Sequence, residues 1–351
     1  SLLAMKILFI GLGSIGQRHM RNIKSKFKDI KFYTLKGNHS RKLFSNTKLL
    51  KGEVNSKYRI NTINLGDINK NLKIDAAFIC LPNYLHTKFL KKLVDRRINI
   101  FLEKPGGVNN LDLQLLKKIQ KKNKNNKLKI MLGYHLRFHP LIIKLKKLVE
   151  EKAIGKILNV LVENGEHIAD YRPYQKYWQI YHSKKNKGGG VILNQIHDLD
   201  YIMYIFEKYK LKKINSFHQK FSNTIIDTED TLTSNLIADK KKEKFLITLL
   251  LNSFERPKSR SLKIIGSGGK IIADLNKNKL EIYKFKSYKN GLLKSKKIIK
   301  KIIKFKLNRN DLFKREVFYF INAIKKNENI DSKYGLSKSI KSLELTLKLK
   351  N

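Results

Sequence analysis

Cysteine is nearly absent from this chain. Cys80 is the one thiol in 351 residues, which excludes an internal disulfide and any cysteine-built metal site and fits a reducing compartment, the cytoplasm. Long apolar runs are missing too. No stretch approaches the roughly 20 residues that a membrane-spanning helix needs. The four residues ahead of Met5 lead into no apolar segment with a cleavage site, so no export signal is expected. Acids are scarce: 28 Asp and Glu face 76 Lys and Arg, a formal charge of +48. Such a charge suits a nucleic-acid binder. Arginine stripes interleaved with aromatics, zinc-finger spacing and RNA-binding signatures are lacking, however. The excess is lysine, spread over every segment beside abundant Asn and Ile, as A/T-rich coding would produce. Neither nucleic acid nor a membrane is expected as a partner. No internal repeat is found.

Apolar residues make up 41% of the chain, enough for real cores, and its length exceeds what one core usually holds. Two domains are expected, over residues 1–125 and 126–351. The first alternates strands at 6–10, 31–35, 58–64, 75–81 and 98–102 with helical patterns such as 84–95 and 111–122; a further strand falls at 127–132. That grammar predicts an α/β fold beginning with a Rossmann domain, a doubly wound parallel sheet with ligands at the carboxyl ends of its strands. Beyond residue 137 a helix at 139–152 and a strand at 156–163 precede a helix that ends near 206. Strands at 214–221, 230–238, 244–251, 261–266, 270–273 and 280–285 then predict a C-terminal α+β domain with a large open, mostly antiparallel sheet. Helices at 309–325 and 336–349 close the chain, and they could pack back on the first domain. Residues 291–307 alternate isoleucine and leucine with lysine; an edge strand guarded by lysines is preferred there to a basic helix on a membrane surface.

The stretch from Met5 to Arg18 organises the first domain. The apolar run at 6–10 suits a strand buried on both faces, and Gly11, Gly13 and Gly16 follow in G-x-G-x-x-G spacing before a helix opens at Ser14 with Ile15. Gly11 makes the tight turn, Gly13 lets a pyrophosphate approach the backbone, and Gly16 lets helix and strand close up. The helix N-terminus offers N–H groups to phosphate.

Three groups could carry chemistry. Lys104, at a strand end within Glu103-Lys104-Pro105, could stabilise a developing alkoxide or pass a proton, or be one more surface lysine. In Gly188-Gly189-Gly190 to Asp200, His197 is a natural general base near neutral pH, or a core histidine behind a helix cap. A metal held by His197, Asp198 and Asp200 lacks a third clear ligand group. Tyr134, His135, Arg137 and His139, followed by Arg172, Tyr174, Tyr177, Trp178 and Tyr181, suit phosphate and sugar recognition or plain aromatic packing.

Five motifs in order resemble the Gfo/Idh/MocA oxidoreductase family, most closely members acting on nucleotide-linked sugars. They are Gly11 to His19, Leu81-Pro82-Asn83-Tyr84-Leu85-His86, Glu103-Lys104-Pro105, Gly133 to Pro140, and Gly188 to Asp200. The resemblance implies an NAD(P)-dependent oxidoreductase acting on a sugar carbinol and assembled as a homodimer or homotetramer. It implies Lys104 as the catalytic lysine and His197 as the histidine near the substrate carbon. Cofactor would be held by Gly11, Gly13, Ser14, Ile15, Gly16, Leu81, Pro82, Asn83, His86, Glu103 and Lys104, and substrate by Tyr134, Arg137, Arg172, Tyr177, Asn194, His197 and Asp198. One departure stands out. Many members place an Asp four residues before this histidine, where this chain has Leu193; counting from the three glycines, the carboxylate position falls on Asn194. The acid is missing unless Asp198 or Asp200 replaces it.

After the second strand the chain reads Leu35-Lys36-Gly37-Asn38-His39-Ser40-Arg41-Lys42, with no acid to take the ribose hydroxyls of NAD. Ser40 and Arg41 could hold a 2′-phosphate, so NADP is favoured over NAD. No metal is expected.

Overall fold

The computed structural model describes residues 4–37, 42–46, 48–285 and 298–351. The chain divides into two compact units, one of residues 1–135 with Arg309–Glu344 and one of Leu136–Asn308 with Leu345–Asn351. The division falls after residue 135 rather than 125. The cause is the strand at 130–132, whose backbone hydrogen bonds lie in the first sheet.

The first unit runs β1 (Met5–Ile10), α1 (Ser14–Lys26), β2 (Ile30–Leu35), β3 (Lys42–Phe44), β4 (Leu49–Glu53), α2 (Val54–Tyr58), β5 (Asn61–Ile63), β6 (Ala76–Ile79), α3 (His86–Val94), β7 (Asn99–Leu102), α4 (Asn110–Asn126) and β8 (Ile130–Leu132). Six strands form one parallel sheet in the order β5-β2-β1-β6-β7-β8. The strand expected at 58–64 is overturned in its first half. Tyr58 ends α2, and Arg59 takes a left-handed conformation that leaves Asn61–Ile63 to pair. The small β3–β4 hairpin was not anticipated.

Register explains the core of this sheet. Phe9 pairs with Phe78, and Phe78 with Phe101, so three rings stack at centroid spacings of 4.9 Å across β1, β6 and β7. Such pairs add about 0.5–1.5 kcal/mol each beyond their buried area.

In the second unit come α5 (Pro140–Glu150), β9 (Ile157–Gly165), α6 (Val191–Asn194), α7 (Ile196–Ile205), β10 (Lys210–Gln219), β11 (Thr231–Lys240), β12 (Glu243–Asn252), β13 (Ser259–Gly266), β14 (Gly269–Asp274), β15 (Lys279–Phe285) and β16 (Ile298–Lys304). Pro140 opens α5 at a position where its missing N–H costs nothing, and His139 caps it by accepting from the Leu141 amide at 3.1 Å. The eight-stranded sheet has the order β10-β11-β12-β9-β13-β14-β15-β16, antiparallel throughout except where β12 meets β9. Of the basic stretch, residues 291–297 lie outside the described residues; Ile298–Lys304 is the edge strand β16, with Lys300 and Lys301 on it. Two further helices, α8 (Arg309–Lys325) and α9 (Leu336–Lys350), complete the chain; α8 belongs to the first unit. Among the described residues, no helix is long and apolar enough to cross a membrane.

Candidate functional site

Strand order puts the carboxyl ends of β1, β6 and β7 side by side in the first unit. At the first of these, Gly11 has φ +100°, and a Cβ there would lie 2.5 Å from the Cys80 carbonyl oxygen. A Cβ on Gly16 would lie 2.3 Å from the carbonyl oxygen of Gly11, so both glycines are demanded by backbone contact. Gly13 differs. A Cβ there would meet nothing within 4 Å, and the first turn of α1, from Ser14 and Ile15, has neither a side-chain cap nor an acid. Open space beside uncapped N–H groups at the positive end of a helix fits a dinucleotide pyrophosphate.

A contrast follows. Gly13→Ala should keep the thermal midpoint and weaken dinucleotide binding, whereas Gly16→Ala should lose about 1–3 kcal/mol of stability as well. Thermal unfolding and cofactor titration check this; equal destabilisation by both variants would contradict it.

Gln17, which sequence reasoning overlooked, is fully buried and holds the loop in place. Its amide donates to the carbonyls of Leu12 and Lys42, and its carbonyl accepts from the Phe44 amide at 2.8 Å. Its position four residues past Gly13 was the available signal, and the β3–β4 hairpin it grips is visible only in three dimensions. Arg41 lies outside the described residues, as does Ser40.

At the end of β6, the Cys80 amide donates to Ile10, and Leu81, Pro82 and buried Asn83 lead into α3. Burial pushes the Cys80 thiol pKa well up, with the Glu103 charge adding to the effect, so it is an inert thiol. His86, expected to hold cofactor, turns both ring nitrogens to backbone carbonyls. It is wholly buried, with Nδ1 2.7 Å from the Pro105 carbonyl and Nε2 2.8 Å from that of Leu81. Burial lowers its pKa.

At the end of β7, Glu103, also expected to hold cofactor, has partners within the unit. Its carboxylate lies 2.7 Å from His19 Nε2 and accepts from the Lys104 amide at 3.3 Å, and it packs against Gly133. Lys104 is half-buried and precedes a cis bond to Pro105. Tyr134 is 1% exposed, a core residue of this unit.

In the second unit, Gly189 and Gly190 serve close approach. A Cβ on Gly189 would lie 2.5 Å from the His182 carbonyl oxygen, and Gly190, at φ +106°, would place one 2.1 Å from Glu229 Oε1. The expected single helix is broken at Gln195, which separates α6 from α7. Asn194 donates to the His182 carbonyl at 3.0 Å, and His197, at the start of α7, is 6% exposed. Gln195 donates to the Asn252 carbonyl at 2.7 Å. Tyr171, beside it, has its pKa pushed up to about 12 by burial.

Arg137 and Asp198, expected to hold substrate, have partners within their own unit. Arg137 makes two hydrogen bonds to Asp200, at 2.8 and 2.5 Å, with both side chains buried. Asp198 accepts from Asn164 at 2.6 Å and Arg260 at 3.3 Å. Half-exposed Arg172 lies 5.3 Å from the Tyr181 ring, and the Tyr177 hydroxyl accepts from the Ile225 amide. Among the described residues, the polar atoms of His19, Glu103 and Glu316 converge, all buried in the first unit.

Residues 5–134 match the oxidoreductase family with an NAD-binding Rossmann fold, and residues 146–347 match that family's C-terminal alpha/beta domain. The chain therefore belongs to the Gfo/Idh/MocA oxidoreductase family. Among curated relatives, the 2,7-anhydro-N-acetylneuraminate hydratase of Mediterraneibacter gnavus is 25% identical over 46% of this chain and 42% of its own. The chain thus matches about half or less of the length of such relatives. Two solved structures share the fold. The scyllo-inositol dehydrogenase of Lactobacillus casei, with bound NAD(H) and scyllo-inositol, aligns over 99% of this chain and 96% of its own, with 19% identity and a TM-score of 0.72. The UDP-N-acetylglucosamine 3-dehydrogenase of Acidithiobacillus ferrooxidans covers 98% and 96%, with 16% identity and a TM-score of 0.73.

Proposed function

We propose that the chain is an NAD(P)-dependent oxidoreductase moving hydride between the nicotinamide and a carbinol carbon of a sugar, with nucleotide-linked sugars as the substrate class. The carrying observation lies within the first unit. The open Gly13 loop ends β1, and Lys104 follows β7, two strands along the same carboxyl edge, about 10 Å away at ordinary strand spacing. That is a span a dinucleotide covers. Bound there, the nicotinamide would supply or accept hydride. Lys104 would neutralise charge developing on the substrate oxygen, and His197 would take or return the hydroxyl proton.

NADP remains the favoured cofactor, on the acid-free sequence after β2 and on Arg41. Arg41→Ala should weaken NADPH while leaving NADH unchanged. The proposed setting is the cytoplasm, and the proposed assembly a homodimer or homotetramer. Exposed Leu158, Ile214 and Leu250 on the large sheet support an assembly, which sedimentation of the purified protein would test.

One finding favours a smaller, polyol substrate. Arg137 is engaged by Asp200, which removes an arginine that a diphosphate would have used. The test covers both classes: purified protein with NADH or NADPH, against UDP- and CMP-sugars and inositols, followed by nicotinamide absorbance. Turnover of a nucleotide-sugar supports the first class and turnover of an inositol the second. Cofactor binding without turnover of either sinks the enzyme assignment.

A further inference from the structure

Glu316 is a carboxyl that no step above uses. It lies on α8 with 0% exposure, and among the described residues neither of its oxygens has a hydrogen-bond partner. The groups facing it are Glu103 from the end of β7, His19 and Arg18 from α1, and Cys80 from the end of β6. The ligating atoms of His19, Glu103 and Glu316 all lie within 4.8 Å of one another. Their surroundings are aromatic: Phe78 and Phe101 lie against the His19 ring, and Phe320, one turn along α8, packs edge-on to both phenylalanines.

Hydrogen-bond capacity assigns the protons. His19 Nε2 meets Glu103 at 2.7 Å, while Nδ1 is buried without a partner. A neutral ring protonated on Nε2 satisfies this; an imidazolium would bury a bare N–H. Glu103 receives two donors, from His19 and from the Lys104 amide, and so suits a carboxylate. Glu316 receives none. Two carboxylates so close in an apolar setting cannot both be charged at modest cost.

We propose that Glu316 is a neutral carboxylic acid in the native protein, a positioning residue that leaves Glu103 as the single charge of the cluster and so holds the turn bearing Lys104. Burial and the Glu103 charge both push the pKa of Glu316 well up, against a smaller opposing pull from Arg18. The consequence for Lys104 rests on its proposed catalytic role; the protonation of Glu316 does not.

Linkage gives the test its sign. With its folded pKa above its unfolded value of about 4.3, Glu316 keeps a proton that the unfolded chain releases. Stability is therefore lost as pH rises above about 4.3, the unfolding constant growing about tenfold per pH unit until Glu316 titrates in the native state. Glu316→Gln keeps the shape and lacks that proton. The variant should equal wild type in thermal midpoint near pH 4 and exceed it increasingly toward pH 8. A variant destabilised equally at every pH would overturn the proposal, as would Zn²⁺ stabilising wild type and not the variant. Infrared spectra of wild type carrying ¹³C-glutamate should show a protonated carboxyl at pH 7 that the variant lacks; its absence in wild type overturns the assignment. For the positioning role, the wild-type dissociation constant for NADH or NADPH should rise with pH about fivefold more than that of the variant. Identical profiles overturn that role. None of these measurements needs a substrate, so a failed substrate panel leaves them interpretable.

Discussion

Lys104→Ala lowers kcat/KM by about 10³-fold and raises the cofactor dissociation constant by no more than about fivefold. The magnitude is that of removing one preorganised charge or one proton carrier from a transition state, about 10²–10⁴. Cofactor binding survives because the phosphate loop at Gly11 to Gly16 is built from β1 and α1, and Lys104 is no part of it. His197→Asn should cost a similar factor. If both side chains act on one substrate oxygen, the double variant loses far less than the product of the single losses. Steady-state kinetics on whichever sugar or inositol is turned over checks both points. A Lys104→Ala enzyme with full turnover would remove the mechanism, and a loss confined to cofactor affinity would make Lys104 a binding residue only.

Asp200→Ala destabilises the protein by about 3–5 kcal/mol, the usual cost of stranding a buried charge. Arg137 and Asp200 are 3% and 0% exposed, and the guanidinium meets the carboxylate through two hydrogen bonds. Removing both charges together, as Arg137→Met with Asp200→Leu, should recover most of that loss, because the pair's Coulomb gain is largely offset by its desolvation. Denaturant or thermal unfolding of the two single variants and the double variant checks this. Additive losses would show that the pair is uncoupled. The same variants speak to the substrate: the double variant should keep its KM if Arg137 has only this internal role.

Much of the first unit was legible from sequence, because each of its signals is local. A strand buried on both faces reads as an unbroken apolar run, as in Met5–Ile10, and the glycine spacing follows directly from backbone clearances at Gly11 and Gly16. The α8 and α9 patterns and the antiparallel run from β10 to β15 were legible for the same reason, since periodicity is written along the chain. The helix α2 was missed, since its five residues are too few for a period to show.

The roles of charged side chains were not legible. Nothing along the chain announces that Asp200 and Arg260 will meet Arg137 and Asp198, from 63 and 62 residues away. His86 and Glu103 carried the right motif, yet their polar atoms turn to Pro105, Leu81 and His19. Glu316 has no signal in the sequence, and only the placing of α8 brings it beside Glu103. By itself the sequence determined the elements, the dinucleotide loop and the family grammar, because these depend on residues close in the chain. Tertiary structure alone decided which ionisable groups are used up by one another. A buried charge must find its partner in space, and that pairing leaves no periodic trace.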